Sequence, residues 1–339
     1  MRNRTLLFTT LVLGAVALAL VFTGRETPPP AVSSYNLVPP ELLADLRTIE
    51  VTANEKTVRI ERTEKGWVVP SRFNLPVDTD NRLRPFLQAL RNTKVLGTLT
   101  SDPRRIAKLN FTGNSIRVEA VNGKSWSAEF GRTVEDGSGG AVRLLDSKEA
   151  LRTTFTGYLE GDPANWINPV IFVIKREEVR GVKVTFTDGA SIALAREKIG
   201  EPLKGNVEPK LAAASEELLN ALSILRAADA IAPNDAEATA ALARPFTVEV
   251  TLFSGETVTV RMAKAPAGKP GEPPRGWMTV AHSDAAHAMN QLSKQALYTC
   301  PPWLAEQVAG SAAELAKRMD PPEEGQDGPP TLQIPQGIR

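Results

Sequence analysis

The sequence predicts an α+β fold: one N-terminal transmembrane helix followed by two tandem, similar units of antiparallel hairpins packed with helices. Three observations carry that prediction. An uncharged apolar run occupies residues 6–24. Beyond it, pairs of short segments alternate apolar and polar residues around Gly-containing turns, the period of half-buried strands. The same order of elements then returns about 133 residues later, the mark of an internal repeat.

The apolar run takes its hydrophobicity from Leu6, Leu7, Phe8, Leu11, Val12, Leu13, Val16, Leu18, Leu20, Val21 and Phe22. As a helix it would be about 28 Å long, close to the hydrocarbon thickness of a bilayer. Arg2 and Arg4 precede it, whereas Arg25 and Glu26 cancel after it. The positive-inside bias therefore makes residues 1–5 a cytoplasmic tip and residues 6–24 a single-pass anchor in a bacterial inner membrane, with the bulk of the chain periplasmic. A cleaved signal peptide is the competing reading, since Ala17-Leu18-Ala19 has the small-x-small pattern. Hydrophobicity that continues through Leu20, Val21 and Phe22 favours the anchor. Residues 25–40, with Pro28-Pro29-Pro30 and Pro39-Pro40, read as an extended spacer.

The first repeat is assigned to residues 41–169 and the second to 170–304. Each opens on a hairpin: Thr48–Thr52 with Thr57–Arg62, and Gly181–Thr185 with Ser191–Arg196. A helix follows, with Leu83, Phe86, Leu87 and Leu90 on one face in the first repeat. Leu218, Leu219, Leu222 and Leu225 do the same on a predicted helix over Ser215–Ala228; Asp80 and Ser215 are the expected N-terminal caps. Second hairpins pair Ile116–Ala120 with Trp126–Phe130, and Phe246–Val250 with Val258–Met262. Each repeat closes with a loop, a strand, a helix and a Trp-containing segment, Asp162–Trp166 and Thr299–Trp303. Residues 305–319 form a predicted terminal helix, and residues 320–339, rich in Pro, Gly and acid, a disordered tail.

With 40 Lys and Arg against 39 Asp and Glu, the chain carries a net charge of +1 and no field that would recruit nucleic acid. Cys300 is the only cysteine, so neither an intramolecular disulfide nor a thiolate metal cage can form. His282 and His287 are the only histidines. Five residues apart, they depart from the i, i+4 zinc pair of a helix even with Asp284 between them, and are expected to be solvent-facing residues at a helix start. Cys300, between Thr299 and two prolines, reads as a packing residue. The carboxylates Asp78/Asp80, Glu177/Glu178 and Glu216/Glu217 suit caps and solvated faces, and Gly137–Gly140 lacks the Lys-Ser/Thr of a phosphate loop. No catalytic, cofactor-binding or metal-binding residue is assigned, and the expectation is a protein that is not an enzyme and has no small-molecule substrate.

The hairpin ending Gly66-Trp67-Val68-Val69, the Asp102-Pro103 segment running to Leu109, the Asp162–Trp166 closure and the apolar N-terminus together resemble bacterial proteins carrying the Domain of Unknown Function 4340 (DUF4340). The resemblance implies an exported α+β domain, often an auxiliary of ABC-type export systems of the gliding-motility kind. The expected partners are thus the bilayer through residues 6–24 and envelope proteins such as export subunits. The alternative expectation is a periplasmic or surface module that binds a glycan or peptide.

Overall fold

The computed structural model describes residues 34–133, 139–266 and 268–320. The predicted anchor, the cytoplasmic tip, most of the spacer and the tail beyond Asp320 lie outside the described residues. Among the described residues no helix is long and apolar enough to cross a membrane.

In chain order the elements begin with β1 (Tyr35–Asn36), α1 (Pro40–Ala44), β2 (Leu46–Ala53), β3 (Lys56–Thr63), β4 (Gly66–Val69), β5 (Leu75–Pro76), α2 (Arg84–Asn92) and β6 (Lys94–Thr100). They continue with α3 (Pro103–Ile106), β7 (Ser115–Ala120), β8 (Ser125–Thr133), β9 (Gly140–Leu144), β10 (Ala150–Thr153), β11 (Val170–Val173), β12 (Val179–Thr185) and β13 (Ser191–Ala195). Then come α4 (Pro209–Leu222), β14 (Ile224–Arg226), β15 (Asp229–Ile231), α5 (Ala236–Ala241), β16 (Phe246–Leu252), β17 (Thr257–Lys264) and β18 (Gly276–His282). The last are α6 (Ala288–Gln295), β19 (Leu297–Thr299), α7 (Pro302–Ala305) and α8 (Ala312–Lys317).

The described residues are mostly antiparallel β-sheet with 26% helix, which corrects the α+β prediction. The physical reason is visible in the sequence pattern. Period-two runs dominate, and the longest helix among the described residues, α4, has 14 residues. The helix expected after the Ala141–Leu145 strand is a turn that leads straight into β10.

Two compact units emerge. Of the described residues, the first takes 34–56 and 84–161, and the second takes 57–83 and 162–320. In the first, seven strands lie in the order β1-β6-β10-β9-β8-β7-β2. The β2–β7 ladder sets Ile49 against Val118 and Val51 against Ile116, and all four are fully buried. The turn after β2 uses Asn54 and Glu55, both at positive φ (52° and 63°) as a two-residue hairpin loop requires. Asn122-Gly123 turns β7 into β8 with Gly123 at φ 80°.

The second unit holds a seven-stranded sheet in the order β13-β12-β16-β17-β18-β19-β15, a two-stranded pair of β11 with β14, and the short β4–β5 pairing. Val184, Val248, Val250, Val258, Val260 and Met262 are fully buried in the large sheet. Leu218 and Leu222 on α4, which packs beside β12, are fully buried as well. The corresponding six strands of the two units, β2-β7-β8-β9-β10-β6 and β12-β16-β17-β18-β19-β15, run in the same order.

Helix boundaries differ from the prediction. Ser215 does not cap a helix; it lies within α4, and its hydroxyl donates to the Leu211 carbonyl one turn back. Leu225 belongs to β14, where it is fully buried. Asp78 rather than Asp80 receives the Asn81 N–H at the turn that opens α2. Asp102 and Asp162 do cap their short helices, accepting the N–H of Arg104 and Ala164.

Candidate functional site

The residues with the most chemical capacity gather at the end of β18. His282 is the last residue of that strand and His287 is the N-cap of α6, so the turn between them folds the two imidazoles together. Their rings stack with centroids 4.2 Å apart and planes at 21°. Phe172 of β11 lies against both, at 5.9 and 5.6 Å. This corrects the expectation of two solvent-facing residues at a helix start, since His282 is buried.

Their hydrogen bonds determine their chemistry. His282 Nδ1 accepts the Asp284 N–H at 3.1 Å, and His287 Nδ1 accepts the Met289 N–H at 3.2 Å. A backbone N–H can only donate, so each Nδ1 keeps its lone pair and each ring proton sits on Nε2. With the basic nitrogen of each ring engaged, neither histidine offers a free lone pair to a metal or a proton donor. The Asp284 carboxylate accepts from Ala286 N–H within the same turn. Among the described residues no group of three His, Cys, Asp or Glu side chains is arranged to hold a metal ion. Asn290 completes the turn: its Oδ1 accepts the His282 N–H, and its Nδ2 donates to the carbonyls of His282 and Asp284.

Cys300 follows β19, and its N–H donates to the Gly276 carbonyl. Burial pushes its thiol up to about 12 and does the same to Tyr298 on the neighbouring strand position. A thiol held so far above neutrality carries almost no thiolate and is a poor nucleophile. The other motif residues are structural too. Trp166 and Trp277 are buried, and Trp67 and Trp126 are half-buried; only Trp303 is exposed.

Sequence reasoning missed a second place, within the first unit. A cavity of about 310 Å³ is walled by Asn54, Asn114, Phe130, Thr133, Phe155 and Tyr158, among others, with no charged residue in its lining. Asn54 N–H donates to Asn114 Oδ1, and Phe130 and Phe155 meet at 4.7 Å. Its walls come from five separated stretches of uncharged residues, which no local motif announces. The one sequence signal is glycine, at positions 131, 140 and 157 along the lining.

The architecture is that of a β-sheet protein whose histidines and cysteine are built into turns and core. The family described as a domain of unknown function (DUF4340) matches residues 67–245, more than half of the chain, so the chain belongs to that family. No curated protein and no solved structure matches it.

Proposed function

We propose that this is a non-enzymatic accessory protein, anchored in the bacterial inner membrane through residues 6–24, that works outside the cytoplasm by contacts with envelope proteins. The observation that carries this reading is the commitment of both imidazole Nδ1 atoms to backbone N–H donors, with the only thiol buried. The apolar N-terminus supports the membrane assignment, and the partner class, ABC-type export subunits, follows from the family resemblance. Tethering raises the local concentration of a weakly binding body, so the anchor matters even where the body folds unchanged.

The test combines location with chemistry. An alkaline phosphatase fused after Pro40 is expected to be active, and carbonate extraction to leave the protein in the membrane. A variant carrying His282→Asn, His287→Asn and Cys300→Ala keeps a side-chain acceptor for each of the Asp284 and Met289 N–H groups but loses every imidazole and thiol. Its cellular phenotype at neutral pH should match the wild type, and crosslinks from the body should reach envelope proteins. Loss of function in that variant, with the fold and location intact, would point to catalysis instead.

The second reading, a module for a neutral glycan or peptide, rests on the charge-free cavity of the first unit, whose amides and aromatic rings suit uncharged polar ligands. Arrays of uncharged oligosaccharides and peptides probed with the full chain would favour it if binding is lost on Asn114→Ala.

A further inference from the structure

The strand registers of the first unit gather several exposed side chains at one end of its sheet. β1 runs antiparallel to β6, with Tyr35 opposite Val95 and Asn36 opposite Lys94, so the chain enters β1 from the Thr100 end of β6. Thr100 lies opposite Ala150, Leu151 opposite Val142, Leu144 opposite Ala128 and Ser125 opposite Glu119. The turns 145–149 and 121–124 therefore stand at that same end, and α3 leaves it just after β6. The cavity residues Asn54 and Gly140, which follow β2 and open β9, lie at the opposite end.

The two turns share a pattern: Val121 is followed three residues on by Lys124, and Leu145 by Lys148. Both aliphatic side chains are largely exposed, at 60% and 59%, and both lysines are exposed. α3 and the short turn after it add Arg104, Arg105 and Lys108, which are exposed as well. None of these five cations forms an ion pair among the described residues. The acids in the turns and caps of this end are Asp45, Asp102, Asp146 and Glu149. Asp102 accepts the Arg104 N–H as the cap of α3, and Glu149 accepts the Thr98 hydroxyl.

An exposed aliphatic side chain beside a lysine suits the boundary between water and lipid, where the apolar part sinks and the ammonium reaches outward to phosphate. Chain length argues for the same place. The ten steps from Gly24 to Ser34 reach at most about 35 Å even when extended. We propose that this end of the first unit rests on anionic phospholipid headgroups at the outer face of the membrane that holds residues 6–24, an inference that rests on the anchor reading above. Val121 and Leu145 enter the headgroup layer, and the lysines and arginines meet phosphate oxygens. The tether supplies the local concentration that lets a small patch act. In this orientation the charge-free cavity faces away from the bilayer.

The test uses the full-length protein in vesicles of mixed phosphatidylglycerol and phosphatidylcholine. A fluorophore is placed on Leu145→Cys at this end or on Tyr158→Cys beside the cavity; Cys300 is buried, and wild type put through the same labelling gives the blank. A nitroxide on the lipid headgroup is expected to quench the first label at least about threefold more than the second. That excess should fall towards parity in pure phosphatidylcholine and in an Arg104→Glu/Arg105→Glu variant. Flotation with the vesicles after a carbonate wash reports on the anchor separately. Protein that floats but is quenched equally at both labels, or whose excess is indifferent to lipid charge, would overturn the headgroup contact and leave the anchor standing. Protein that fails to float would overturn both. Should the charge-reversed variant fail to fold, the two lipid compositions decide alone.

Discussion

In the first unit, β9 and β10 are joined by the short turn Leu145–Glu149; in the second, the corresponding strands β18 and β19 are joined through Ser283–Ala296, which contains α6 and brings His287 onto His282 at the end of β18. The ladders around these connections share one strand order. The polar chemistry is therefore concentrated in the connection, where added length costs little, since loop closure rises only slowly with chain length. The helices differ as well. Leu219 on α4 is 2% exposed, whereas Leu87 on α2 is only half-buried, so the two helices do not contribute equally to their cores.

That asymmetry yields the largest expected effect. Leu219→Ala empties a fully packed position and should lower the unfolding free energy by about 2–5 kcal/mol, whereas Leu87→Ala should cost less than about 2 kcal/mol. Denaturant unfolding followed by tryptophan fluorescence measures both. Equal losses would mean that the two helices carry equivalent core positions after all.

The strands were legible because their pattern is local. Turn glycines such as Gly123 and Gly255 take the positive φ that their position demands, and alternating Val, Ile and Thr on either side fix the faces. Helix boundaries were less so: Leu218, Leu219, Leu222 and Leu225 share helical spacing, yet the chain leaves the helix after Leu222 and buries Leu225 from a strand instead. A period of three or four cannot by itself show where a helix stops. The histidine stack was invisible for a related reason. On one helix a spacing of five separates two side chains, whereas a strand end and an N-cap joined by a turn bring the same pair into contact. The cavity of the first unit depends wholly on long-range assembly.

The closing strands offer a second contrast. In the first unit, buried Thr153 donates its hydroxyl to the Gly140 carbonyl and has no charge to gain at alkaline pH. In the second, Tyr298 and Cys300 are buried and both are pushed up to about 12. Their folded-state values are raised, so the stability they represent is present below their ordinary values and is lost as pH climbs towards 12. Each group costs the fold about 1.4 kcal/mol per pH unit above its ordinary value. By pH 10 the loss should therefore approach about 2 kcal/mol, most of it from the thiol. Unfolding midpoints at pH 8 and 10 would show it, and Cys300→Ala should flatten most of the slope. A slope unchanged by that substitution would place the alkaline sensitivity elsewhere.

The smallest effect tests the two ladders at a single rung. In the first unit Glu50 stands opposite Arg117, flanked by Ile49 with Val118 and Val51 with Ile116. In the second unit Lys183 stands opposite Glu249, flanked by Val182 with Val250 and Val184 with Val248. The apolar frame is the same and the charges are reversed, the acid lying on the first strand in one unit and on the second strand in the other. Lys183 Nζ lies 3.7 Å from Glu249 Oε2, and both side chains are well exposed, at 51% and 39%. Solvent screens such a pair, so removing it matters little, but like charges directly opposite on adjacent strands repel. Lys183→Glu should cost about 0.5–1 kcal/mol at low salt and less at high salt, where the Debye length shortens. The double swap Lys183→Glu/Glu249→Lys reproduces the polarity of the Glu50–Arg117 rung and should recover most of the loss. Recovery in this double-mutant cycle would show that the rung requires opposite charges but not a particular orientation. Failure to recover would mean that the surroundings of β12 and β16 select the sign, and that the two ladders differ electrostatically even where their apolar frames agree.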